Sequence, residues 1–501
     1  MVDPEIVYKE SSRPATPSLA AGQGQTNKAT LDFMIRTICP VHLGCDDVYD
    51  PLSFTLDPET SELIVFDPSE FLGGLSDGEL KKFSDICKEG TLSSIIKIYK
   101  FMRNQRPLGR RVGVCSGFLA HYDKALSIPE RDQGRIQQEL NRFIINRTAY
   151  LPTTDRPYIP GSAIKGSIRT AYLNLLAAQR KVNPERGKGK DLEKQLLDGG
   201  AFATDPFRLL KVSDFMPVGE IKTKIVYAVN EKKKQSIHEA RGPYQILETI
   251  EPGSLFVGTI TLEQPGQGAG IKTPLKIKNV MDSLKSFYTK EKNSENKALQ
   301  DVNIPTDPMP ANEGTILRLG RHSGAESVTI DGYRDIRIML GGGKSKFLTH
   351  STTMWLSSEY DNPKSKNTLR AFGWATLTQI TADQKSELLE KEASWRTGNA
   401  DQRTVVLQRI QDRMSRVARN EAKPIASKAS VQTASQPEKW LGATLTWHPG
   451  PGEIVAQLGT KKASTKDRGL VPETMKKKLF DKKKPVAANV EVISFKIIRI
   501  E

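Results

Sequence analysis

Residues 158–170 read Tyr158-Ile159-Pro160-Gly161-Ser162-Ala163-Ile164-Lys165-Gly166-Ser167-Ile168-Arg169-Thr170, a helix start that carries two glycines and two cations. Pro160 and Gly161 interrupt the extended run before them. Ser162 can then cap a helix over residues 163–178, in which Ile164, Ile168, Tyr172 and Leu175 or Leu176 repeat at helical spacing. Lys165 and Arg169 are one helical turn apart and share a face beside the first-turn N–H groups, which lack partners inside a helix. A positive helix end, two cations and Gly166, where a backbone can approach closely, suit an anionic strand or nucleotide. The same spacing also fits a surface helix whose cations are solvated.

Upstream, residues 31–38 alternate Leu31, Phe33 and Ile35 with Asp32, Met34 and Arg36, which predicts a strand, and residues 62–67 predict a second. Between residues 76 and 148 the period turns helical. Ser76-Asp77-Gly78-Glu79 has the capping-box pattern, Leu92, Ile95, Ile96 and Tyr99 form one stripe, and Ile136, Leu140, Phe143 and Ile144 form another. Downstream, residues 209–214 and 222–229 read as strands. Residues 244–250 and 255–262 read as a hairpin turned by Glu251-Pro252-Gly253-Ser254, and the polar, proline-bounded residues 285–310 as a mobile loop. Strands and helices mixed without regular alternation predict an α+β fold.

The run Gly161-Ser162-x-x-Lys165-Gly166-x-x-Arg169-Thr170 resembles a signature of the RAMP superfamily, whose members build CRISPR effector complexes. Four further stretches match it in order: Thr37-Ile38-Cys39-Pro40-Val41-His42-Leu43-Gly44, the pair Asp205-Pro206-Phe207 and Val212-Ser213-Asp214, the glycine-rich residues 317–324, and Phe372-Gly373-Trp374-Ala375-Thr376-Leu377. The likeness covers residues 31–380 and is greatest to the subunits that cap the 3′ end of the guide RNA in type III-A, or Csm, complexes. It implies two ferredoxin-like (RRM-type) modules with helical insertions. These are expected at 31–215, with a helical insertion at 70–150, and at 216–380. The implied partners are the CRISPR guide RNA, the backbone RAMP subunit and the small helical subunit, with host nucleases for guide trimming and target RNA met indirectly. No cofactor or metal and no catalytic residue is implied.

The length allows two or three domains, and a formal charge of +16 with a pI near 9.4 favours a polyanionic partner. Neither an apolar run long enough to cross a bilayer nor a secretion signal is evident, so a cytoplasmic protein without membrane partners is expected, and the resemblance implies a prokaryotic one. Cys39, Cys45, Cys87 and Cys115 are too irregularly spaced for a disulfide framework or zinc site and read as reduced, mostly buried thiols. Residues 1–30 lack an apolar pattern and predict a flexible tail. Residues 381–436 predict amphipathic helices, with Leu388, Leu389, Val406, Ile410, Met414 and Val417 inward and Arg409, Arg413, Arg416 and Arg419 outward, followed by a linker. Residues 437–501 predict a small basic β domain, OB-like in pattern, with a hairpin at 443–458 and a closing strand at 490–500. Its lysine run at 461–484, beside Trp440 and Trp447, fits either a solvated face over core tryptophans or a second nucleic-acid surface.

The expected RNA contacts are His42, Gly161, Ser162, Lys165, Gly166, Arg169, Gly320, Arg321 and Gly324. In the segment Leu317-Arg318-Leu319-Gly320-Arg321-His322-Ser323-Gly324, backbone amides and guanidinium groups would meet phosphates without reading bases. His42 with Asp46 or Asp47 admits a second reading, a guide-processing ribonuclease; a repeated backbone subunit is a third. Leu340-Gly341-Gly342-Gly343-Lys344-Ser345 lacks the spacing of a nucleotide-binding loop and reads as a hairpin tip or a further RNA-facing loop.

Overall fold

The computed structural model describes residues 28–399 and 438–501, apart from residues 58, 106, 108, 181, 183–188, 198, 238–239, 241, 309–313, 342, 449–451, 460, 483 and 494–495. The chain divides into two compact units, Met1–Ala418 and Arg419–Glu501. Most of the expected tail, the stripe of Val406, Ile410, Met414 and Val417 with its four arginines, and the linker at 421–436 lie outside the described residues.

In chain order the first unit comprises strands β1 (Lys28–Thr37), β2 (Gly44–Val48), β3 (Phe54–Asp57) and β4 (Glu62–Val65), then helices α1 (Pro68–Gly73), α2 (Asp77–Glu89) and α3 (Leu92–Arg103). Next come β5 (Arg110–Val114), α4 (Ser116–Leu126), α5 (Gln133–Arg142), β6 (Ile145–Thr148), β7 (Tyr150–Leu151) and β8 (Arg156–Pro157). After these follow α6 (Gly161–Arg180), α7 (Gly189–Leu196), β9 (Leu210–Val212), β10 (Met216–Pro217), β11 (Thr223–Lys232), β12 (Gln245–Ile250) and β13 (Leu255–Glu263). The unit continues through α8 (Ile277–Asp301), β14 (Thr315–Arg318), β15 (Ile336–Gly341), β16 (Lys344–Leu348), β17 (Thr353–Ser358) and β18 (Trp374–Gln379) to α9 at residues 382–399. The capping box forms as expected: Ser76 Oγ accepts from the Glu79 N–H at 3.4 Å, and the Ser76 N–H donates to Glu79 Oε2 at 3.0 Å.

Two sheets organise this unit. One runs β10-β13-β1-β18-β14 with β9 also on β13; the other runs β2-β6-β12-β11-β5-β4-β3 with β17 on β11. In the first, β1, α6, β9, β13, α8 and β18 succeed one another as β-α-β-β-α-β, with strand order β9-β13-β1-β18, the split-βαβ arrangement. Alternation in β1 places Phe33 and Ile35 fully in the core, and α6 packs on α8. The second sheet takes strands from residues 44–148, 223–250 and 353–358. The fold is therefore mixed α+β, but both sheets draw strands from either side of residue 215, and they interleave rather than follow one another.

Two local expectations are corrected. Residues 285–301 belong to α8, because Val280, Leu284, Phe287, Tyr288 and Glu291 form one buried helical stripe within an otherwise polar sequence. Strands β12 and β13 are not a hairpin: β12 pairs with β11 and β6, and β13 with β1, β9 and β10. The Glu251–Ser254 turn instead passes the chain between sheets and is held by β1. Thr37 Oγ1 donates to the Glu251 carbonyl at 2.7 Å, and the Gly253 N–H donates to the Thr37 carbonyl at 2.8 Å.

In the second unit β19 (Glu438–His448), β20 (Glu453–Leu458), β21 (Lys461–Thr465), β22 (Val486–Ile493) and β23 (Lys496–Ile500) close a barrel in the order β19-β20-β21-β23-β22. β21 meets β23 in parallel, and a short α-turn, Glu473–Lys476, runs into a π-turn, Lys477–Asp481, between β21 and β22. The barrel has its own core, which includes Trp440, Leu445, Ile454, Leu479 and Ile497. The expected closing strand is two antiparallel strands, β22 and β23.

Candidate nucleic-acid interface

Helix α6 begins at Gly161, and an anion of the chain already holds its first N–H: Gly161 N donates to Asp214 Oδ1 at 2.8 Å. Ser162 is therefore an exposed first-turn residue and not the cap. Gly161 is demanded by packing, since a Cβ there would lie 2.6 Å from the Ser213 carbonyl oxygen. Lys165 Nζ donates to the Leu210 carbonyl at 2.8 Å, and partial burial followed by the charge of Lys211 pulls its pKa down. Arg169 is doubly paired, to Asp205 at 2.9 Å and Glu193 at 2.8 Å, and its guanidinium lies 4.9 Å from the Phe207 ring centroid. Asp205, Phe207 and Asp214, quoted above as sequence markers, thus act as the partners of α6. The two expected phosphate cations on this helix are engaged by protein.

The glycine-rich loop after β14 is fixed from below. Ser167 Oγ of α6 donates to the Arg318 carbonyl at 2.5 Å, and the Arg321 N–H donates to the His42 carbonyl at 2.9 Å. Gly320 has φ +78°, and a side chain there would run into the His42 carbonyl. Arg318, the other arginine of this segment, is buried. It donates through Nε to the Phe372 carbonyl at 3.0 Å, pairs with Glu295 at 2.6 Å and lies 4.7 Å from the Trp374 ring centroid. Glu295 also accepts from Trp374 Nε1 at 2.5 Å. His322 lies 4.6 Å from the Trp355 ring centroid, and burial, reinforced by the charge of Arg321, lowers its pKa to about 3.

His42 is also internal. Its ring is fully buried, and Nδ1–H donates to the Glu248 backbone carbonyl at 2.7 Å. Burial lowers its pKa, with Arg321 adding to the effect. The ring cannot meet a ligand on the surface, and among the described residues no carboxylate orients it as a base; Asp47 accepts instead from Tyr150 Oη at 2.8 Å. Among the described residues no cluster of His, Cys, Asp and Glu could hold a metal ion. Cys39 and Cys115 are buried, with thiol pKa values raised by burial to about 12; Cys45 and Cys87 are exposed, contrary to expectation. Gly341, Gly343 and Lys344 lie at the turn of the β15–β16 hairpin, as its sequence suggested.

Of the expected contacts, Ser162, Gly166, Gly320, Arg321 and Gly324 are exposed, and we refer to these positions together as the strip. The bond from Ser167 to Arg318 ties the α6 part of this strip to the loop part. A Cβ at Gly166 would meet nothing within 4 Å. Among the described residues the Arg321 side chain has no hydrogen-bond or carboxylate partner, and neither has exposed Lys211 of β9, which the sequence reading passed over. Its signal was available: Lys211 is the outward residue of a strand between Leu210 and Val212.

A sequence profile described as the RAMP superfamily matches residues 34–315. A Methanocaldococcus jannaschii protein named CRISPR system Cms protein Csm5 is 28% identical over 218 residues, covering 41% of this chain and 48% of that relative, so the match spans about half of that relative. A Streptococcus thermophilus protein of the same name is 24% identical over 313 residues, covering 60% of this chain and 80% of the relative. Two solved structures align at TM-scores of 0.41: a chain of a type III-A Csm-crRNA-target RNA ternary complex (17% identity, 70% of this chain, 100% of that chain) and T. onnurineus Csm5 (16%, 68% and 99%).

Proposed function

The chain belongs to the RAMP superfamily and resembles the Csm5 proteins of type III-A CRISPR systems, and from that premise we propose that it is a non-catalytic, RNA-binding subunit of a cytoplasmic Csm complex. In this reading it caps the 3′ end of the guide RNA beside the backbone and small helical subunits, supports assembly, and positions the guide while host nucleases trim it. The observation that carries the reading is the contrast within the five motifs. Lys165, Arg169, Asp214 and Arg318 are each held by other groups of the protein, whereas among the described residues Arg321 is left unpaired in an exposed glycine-rich loop, whose start is bonded to α6 beside the open Gly166. Main-chain donors, glycines and a guanidinium contact phosphates without reading bases, which suits a protein that must accept many guide sequences.

The test is reconstitution of the complex with a labelled guide. One copy per particle by native mass measurement, together with loss of guide 3′-end protection in Arg321→Ala, is expected; several copies per particle would favour the backbone-subunit alternative. Incubation with labelled precursor RNA, with and without divalent metal, tests the ribonuclease alternative. No cleavage is expected, because the His42 ring is buried on a backbone carbonyl. Cleavage that disappears in His42→Ala would overturn the non-catalytic reading.

A further inference from the structure

The barrel of the second unit lies beyond residues 34–315, where the superfamily profile matches, and its lysine run admits either a solvated face or a nucleic-acid surface. Its strand order, first-second-third-fifth-fourth, with the parallel contact and a helical segment after the third strand, is that of OB barrels, a scaffold that holds extended oligonucleotides. Fold alone does not give function; the side chains on the barrel's surface do. Residues 438–501 contain thirteen Lys or Arg against seven Asp or Glu. The acids are partly used: Lys439 pairs with Glu491, Lys461 with Glu438 and Lys476 with Glu473. Exposed Lys466, Lys477, Lys478 and Lys482 have no carboxylate partner among the described residues.

In sequence these lysines lie within three residues of Arg468 or Phe480, two members of an aromatic platform. Trp447 and Phe480, both half-buried, meet edge to face with centroids 5.1 Å apart. The exposed guanidinium of Arg468 lies over Trp447 at 4.3 Å from its centroid and 5.6 Å from that of Phe480, with no carboxylate bound to it among the described residues. Lys477, Lys478 and Lys482 flank Phe480 on the helical segment, and Lys466 flanks Arg468. A guanidinium plane laid on an indole presents its outer face to a further flat group, and unpaired ammonium groups around it attract a polyanion. Stacking and charge together are the chemistry of sequence-tolerant single-strand binding.

We propose that the C-terminal barrel carries a second site for single-stranded RNA, in which a base stacks on the Arg468–Trp447 platform and Lys466, Lys477, Lys478 and Lys482 hold phosphates. This site is independent of the guide-binding strip around Arg321. The experiment measures binding of a fluorescein-labelled oligouridylate of about twelve nucleotides to the full-length protein by anisotropy, between about 50 and 200 mM salt. Three variants are compared with the parent: Lys466→Glu/Lys478→Glu/Lys482→Glu, Arg468→Ala and Arg468→Lys. At about 0.7 log units per phosphate contact, the triple variant should lose about two units of log–log salt slope. Arg468→Ala should weaken binding at least about fivefold, and Arg468→Lys should lose affinity while keeping the slope. Near-UV dichroism of the tryptophans reports whether the barrel stays folded. Unchanged affinity and slope in folded variants overturn the proposal, and so does normal RNA binding coupled with loss of co-assembly, which would make the face a protein-docking surface. The guide-binding reading fails separately, through Arg321→Ala with the barrel intact.

Discussion

The carboxylate of Asp214 accepts the backbone N–H of Gly161 at 2.8 Å, so the positive end of α6 is already occupied by an anion from the chain itself. The Ala163 N–H donates to the Pro160 carbonyl at 3.0 Å, which spends another first-turn donor. A ligand phosphate at the start of α6 would therefore meet the exposed Ser162 and not the N–H groups of Gly161 and Ala163. Asp214→Ala should lower unfolding free energy by about 1–2 kcal/mol, as loss of a helix cap does, and Asp214→Asn, which keeps an acceptor, by less. RNA affinity should hold or rise, because a negative charge has left the exposed start of α6. A fall in affinity at unchanged stability, read by denaturant titration beside anisotropy, would instead place Asp214 in contact with the ligand.

Arg169 and Arg321 look alike in sequence and differ in what holds them. Arg169 spans Asp205 and Glu193, whereas Arg321 has its backbone anchored to His42 and its side chain free among the described residues. Arg169→Ala should cost on the order of 1 kcal/mol, discounted for partial exposure of the pairs, and leave the salt dependence of RNA binding unchanged. Arg321→Ala should change stability by less than about 0.5 kcal/mol yet flatten the slope of log affinity against log salt by about 0.7. The reverse pattern would return the binding role to α6.

This division marks what the sequence could reveal. The alternation of Phe33 and Ile35 and the capping box of Ser76 and Glu79 were readable because they are local. The α8 stripe was hidden, since the apolar residues at 280, 284, 287 and 288 are diluted by lysine, glutamate and asparagine. The pairing of Arg169 was not legible, because its partners lie 24 and 36 residues away in sequence, where spacing carries no information. The same holds for the Glu251–Ser254 turn: its residues look like a hairpin, and only pairing of β13 with β1 reveals the crossing between sheets.

Two glycines of the motif offer an internal control. A Cβ at Gly161 would press on the Ser213 carbonyl oxygen at 2.6 Å, whereas one at Gly166 would meet nothing within 4 Å. Gly161→Ala should therefore destabilise by about 1–3 kcal/mol, and Gly166→Ala should stabilise by about 0.5–1 kcal/mol, as expected in an exposed helix interior. If a sugar-phosphate backbone runs over α6, the more stable Gly166→Ala protein should bind guide RNA less tightly. Stability and affinity rising together would remove α6 from the interface.

His322 lies at φ +64°, 4.6 Å from the Trp355 ring centroid and 5.5 Å from that of Phe372, with Nε2 3.2 Å from Gln245 Oε1. Burial, with the charges of Arg321 and His42, holds its pKa near about 3, while an unfolded imidazole titrates near about 6.5. Between these values the unfolded chain binds a proton that the native loop refuses. The stabilisation is complete above about 6.5 and is lost progressively as pH falls towards about 3. The buried ring of His42, whose pKa is also lowered, acts in the same direction. Unfolding free energy should thus decline from about pH 7 to about pH 4.5, and less steeply in His322→Asn, since asparagine tolerates the left-handed backbone and does not titrate there. RNA affinity of the parent should stay level across about pH 5.5–8, because the loop carrying Arg321 does not change charge in that window. An inflection near about 6.5 would mean that His322 leaves its aromatic seat when RNA binds.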